Sequence, residues 1–85
     1  MQRIIQGLGN QKIKGKIESV IEKHRILSYN HTYDPGHIRV RICMRTSEQV
    51  TAEELGKLHT MPDTELLGVY AADDRLIIII EVQTP

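Results

Sequence analysis

Apolar positions in the first third of the chain repeat with a helical period: Ile13, Ile17, Val20, Ile21 and His24 recur at spacings of four, three, one and three, the signature of a single stripe on a helix. Asn10 stands where an N-cap is preferred, so the spacing predicts a first helix over about Gln11 to His24. Gly15 within it costs about 1 kcal/mol relative to Ala. Ahead of this helix, Arg3-Ile4-Ile5 reads as a short leading strand and Gly7-Leu8-Gly9 as the turn that follows. These glycines, taken with Gly15, fit neither the dinucleotide fingerprint nor the P-loop, and no Gly-Lys-Ser/Thr follows them.

The period then changes to two. Asp34-Pro35-Gly36-His37 is a turn tetrad, with Pro setting φ at its second position and Gly permitting a positive φ at its third. Folding the chain there sets Tyr33 against Ile38, His31 against Val40, Tyr29 against Ile42 and Leu27 against Met44. The opposite face then carries Thr32 by Arg39, Asn30 by Arg41, Ser28 by Cys43 and Ile26 by Arg45. Two alternations that agree on one register predict a hairpin with an apolar inner face and a polar, basic outer one.

Thr51-Ala52-Glu53-Glu54 is a capping box that opens a short second helix, which ends near His59 and buries Leu55 and Leu58. Val50 is placed to staple onto Leu55. The last hairpin runs Glu65 to Ala71 and Arg75 to Val82. One of its faces holds Leu67, Val69, Ala71, Leu76, Ile78 and Ile80; the other holds Leu66, Gly68, Tyr70, Ile77, Ile79 and Glu81. Strands apolar on both sides belong in the middle of a sheet.

The order α-β-β-α-β-β predicts an α+β fold: a two-layer sandwich, ferredoxin-like or similar, whose antiparallel or mixed sheet carries two helices on one face. The two α-β-β halves repeat in layout but not in sequence. At 85 residues, 40% apolar and 26% charged, residues 1–85 are expected to form a single domain.

Composition narrows the chemistry. A lone Cys43 makes no internal disulfide, and the longest apolar run, Leu76 to Ile80, is far short of the roughly 20 residues that span a bilayer. The expectation is a cytoplasmic protein with no membrane partner. Phe and Trp are absent and only three Tyr are present, which argues against a base-stacking platform. Zero net charge conceals a division: residues 1–45 carry nine basic and three acidic side chains, residues 46–85 two and eight. Mutual neutralisation within one compact domain is the first reading of that split; steering of partners or head-to-tail contact is the second.

With both helices on one side, the other face of the last hairpin is expected to expose Leu66, Tyr70, Ile77 and Ile79. Removing each from water is worth about 1.5 kcal/mol, about 6 kcal/mol together, against an association cost of at least about 4 kcal/mol. Arg39, Arg41 and Arg45 share one strand face with Cys43 and form a charged rim that suits acidic side chains or phosphates. His31, Asp34 and His37 flank the turn, but this register sends His31 to the core face, so no metal site converges. No His faces Cys43, so no nucleophile with its base is assembled. The expected function is therefore a non-enzymatic protein-interaction module (an inhibitor, adaptor or accessory regulator) without cofactor or metal. It would self-associate as a dimer, or bind a protein partner, through its sheet. The alternative is a nucleic-acid-binding domain that uses Lys12, Lys16, Lys23 and the arginine ladder.

Overall fold

The computed structural model describes residues 11–84; the expected leading strand at Arg3–Ile5, the glycine turn and the Asn10 cap lie outside them. Residues 11–18 form the first helix, α1. It is shorter than its stripe suggests. Ser19 turns its hydroxyl back to the Lys16 carbonyl, the Val20 N–H bonds the Ile17 carbonyl in a tightened last turn, and Glu22 is already extended at φ −56°, ψ 135°. A hydroxyl that offers the backbone an alternative bond favours such an exit. A 3-10 turn, Lys23–Arg25, then leads into strand β1, Ile26–Asp34. Strand β2 spans His37–Arg45, helix α2 Ala52–Thr60, β3 Thr64–Ala72 and β4 Arg75–Gln83.

The four strands form one sheet in the order β1-β2-β4-β3, and every neighbouring pair is antiparallel. This is a small α+β domain. Pro35 and Gly36 make a two-residue turn with Gly36 at φ +85°, and Asp34 pairs directly with His37. At the second hairpin Asp73 takes the left-handed conformation, at φ 55°.

One face of the sheet carries Ile38, Val40, Ile42 and Met44 from β2 and Ile78, Ile80 and Val82 from β4. These pack with Ile13, Ile17 and Ile21 of the α1 segment and Leu58 of α2 to form the core. A row of β-branched side chains suits a pleated, buried surface, and the isoleucines of α1 are spaced to meet it on one helical stripe. Val50 and Leu55 both pack against this core as the staple requires, and the capping box is complete: the Thr51 hydroxyl accepts from Glu54 N–H at 3.1 Å, and the Glu54 carboxylate accepts from Thr51 N–H at 3.0 Å.

Glu54 serves a second purpose. Its carboxylate takes two hydrogen bonds from the Arg25 guanidinium, at 2.7 and 3.4 Å, while Arg25 also reaches Glu48 at 3.3 Å and the Gln49 carbonyl. Arg25 comes from the basic half of the chain and its carboxylates from the acidic half, so part of the charge division closes inside the domain.

Both hairpins depart from simple alternation at one place. A bulge at Leu27 shifts the first register, so that Ile26 rather than Leu27 pairs with Met44, and a bulge at Leu67 sets Leu66 beside Ile80. In each case the residue before the bulge turns to the core: Ile26 and Leu66 pack against it, while Leu27 and Leu67 are left 38% and 42% exposed. An extra residue re-aims the side chains on its far side, and the helix-covered face is where an aliphatic group gains most from burial. The expected placements of Leu66 on the outer face and Leu27 on the inner one are therefore reversed.

The halves are related by an approximate dyad normal to the sheet. β1 and β2 correspond in length and order to β3 and β4, and the central pair β2·β4 has Arg41 directly opposite Ile79, the two residues that correspond to each other. Matching bonds close the ends: Thr46 N–H donates to the Asp74 carbonyl at 3.3 Å and Thr84 N–H to the Gly36 carbonyl at 2.9 Å.

Candidate functional site

The odd-numbered residues of β2 and β4 point away from the helices and define the open face. Three rows cross it from β1 to β3. Ser28, Cys43, Ile77 and Tyr70 form the first; Asn30, Arg41, Ile79 and Gly68 the second; Thr32, Arg39, Glu81 and Glu65 the third. Beyond the first row lies the pair Arg45 and Arg75, and beyond the third lies His37 with Asp34. The arginine ladder thus occupies the face expected for it, together with Cys43.

Its chemistry is not uniform. Arg39 pairs with Glu81 at 3.4 Å, and the His37 imidazole approaches Asp34 at 3.4 Å and Glu81 at 3.7 Å. That end of the face, with Glu65 beside Glu81, is predominantly acidic. At the other end Arg45 is exposed and Arg75 bonds its neighbour Asp74 at 2.8 Å. Between them Arg41 reaches across β4 and donates to the Tyr70 hydroxyl at 2.9 Å. This bridge lies over the isoleucines of β4.

The apolar patch is smaller than expected as a result. Ile77 retains only 7% exposure and Ile79 is half-buried, whereas Tyr70 is 41% exposed. Long side chains cover apolar surface with their stems while keeping the charged head wet, and Arg41 and Tyr70 do so from the two strands that flank β4. The expectation that Leu66 and Ile77 stand exposed is corrected: the first faces the core and the second is roofed by its own chain. Tyr70 and the half-covered Ile79 remain as apolar surface. A shallow depression of about 190 Å³, lined by Ser28, Asn30, Arg41, Cys43 and Ile77, opens beside the bridge.

A methyl group built at Gly68 would meet no atom within 4 Å, so the position is open surface. Glycine inside a strand often marks a bulge, and the bulge at Leu67 adjoins it.

The turn histidines part company, as the sequence pattern suggests. His37 lies on the open face, and His31 lies on the core side between Tyr29 and Tyr33, with ring centroids 6.2 and 6.4 Å away. Burial, and then the nearby Lys14, hold the His31 imidazole below its ordinary pKa. Its Nε2 is buried without a hydrogen-bond partner among the described residues. Tyr29 donates to Glu18 at 2.9 Å and lies under the Lys14 ammonium; burial first, and the bond to Glu18 second, raise its phenol above the usual range. Among the described residues no group of three or more His, Cys, Asp or Glu side chains is placed to hold a metal ion, and no helix is long and apolar enough to cross a membrane.

The Arg41–Tyr70 bridge and the Arg39–Glu81 pair were hidden from sequence reasoning because both depend on β2 lying beside β4, and neither hairpin alone reveals that adjacency. In comparisons with known proteins, the chain matches no family model, no curated protein and no solved structure.

Proposed function

We propose that this protein is a non-enzymatic interaction module, of the inhibitor, adaptor or accessory-regulator kind, whose open sheet face binds another polypeptide. The observation that carries this reading is the face itself: a four-stranded surface with Tyr70 exposed, Ile79 half-covered, and hydroxyl, amide and guanidinium groups around them. Polar rims around aromatic and aliphatic anchors characterise protein interfaces, and Tyr and Arg are enriched there. A nucleic-acid role has less support. Lys12, Lys16 and Lys23 belong to the helical layer, while the arginine ladder shares its face with Glu65 and Glu81, which repel phosphates. The finer reading of the fold is also ours: two antiparallel hairpins in the order β1-β2-β4-β3, with α1 ahead of β1 and α2 ahead of β3, match a ferredoxin-like layout whose leading strand has been carried to the carboxyl side as β4.

The test places a photo-reactive amino acid at Thr32 on the open face or at Lys57 on α2, in the full chain expressed in cells. A nuclease-resistant polypeptide adduct at Thr32, absent at Lys57 and lost in Tyr70→Ala, is the expected result. No polypeptide adduct at Thr32, or one removed by nuclease, overturns the reading.

A further inference from the structure

We draw no further inference here: the strongest candidate, the shallow depression on the open sheet face between Ser28, Asn30, Cys43 and Ile77, carries nothing, because the Arg41 guanidinium that would give it charge reaches across β4 to the Tyr70 hydroxyl and nothing in the structure shows what covers that face.

Discussion

Arg25 and Glu54 form the most connected polar contact between the two halves of the chain among the described residues, and their coupling is measurable. Their side chains are 12% and 20% exposed, so the pair is shielded but not removed from water. Hydrogen bonds to charged groups contribute about 1.5–3 kcal/mol when buried; with solvent screening and the ordering of two long side chains discounted, about 1–2 kcal/mol remains for the coupling. Glu54→Gln isolates this term, because glutamine still completes a capping box. Combined with Arg25→Met in a double-mutant cycle read by urea unfolding, the variants should show that coupling at pH 7, where each kcal/mol lost lowers Tm by about 4–8 °C.

The pH dependence carries a definite sign. The Arg25 hydrogen bonds first, and the Thr51 N–H second, hold the Glu54 carboxyl below its ordinary value of 4.5. The folded state therefore gives up that proton more readily than the unfolded chain. The stabilisation is complete above pH 4.5 and disappears as the pH falls through the folded value. The gap between the native chain and Glu54→Gln should accordingly close in acid. A coupling below about 0.5 kcal/mol, the scatter expected of independent sites, or a gap that persists unchanged to low pH would refute the assignment.

Other expectations follow from the same structure. Because Ile77 is buried on the open face, Ile77→Ala should cost about 2 kcal/mol or more in chemical unfolding, and Ile77→Lys should unfold the domain rather than merely block binding; a cost near zero would show that Arg41 and Tyr70 do not roof it. Tyr29→Phe removes the bond to Glu18 and should lower stability by about 1 kcal/mol, while ultraviolet titration of the native chain should find one phenol ionising above the usual range, absent in the variant. Burial makes the folded His31 imidazole take up a proton less readily than the unfolded one, so stability should decline as the pH falls below 6.5. His31→Phe should remove that decline, and an imidazole resonance that titrates at or above the ordinary value would contradict the burial argument.

The hairpins, the capping box and the helical stripe were legible in the sequence because each rests on neighbours close in the chain. Asp34-Pro35-Gly36-His37 turns the backbone by its own φ preferences, and Thr51 meets Glu54 within one helical turn. The arginine ladder was legible for a similar reason, since alternation along one strand fixes its face. The limits appeared where contacts join distant segments. Nothing in Leu27 or Leu67 announces a bulge; it is the pull of the core on Ile26 and Leu66 that reverses their alternation. Arg25 showed no sign of its carboxylate partners, because Glu48 and Glu54 meet it only once α2 is docked.

The same distinction separates what the chain determines alone from what packing decides. Local stereochemistry and the period of the apolar residues specified two helices, two hairpins and the inward row of isoleucines. Strand order belonged to the tertiary structure, which placed β2 beside β4 because both carry a continuous apolar row that only the middle of the sheet can bury. That adjacency carried Arg41 to Tyr70 over Ile77, and it made the open face a graded surface of charge rather than an exposed apolar one.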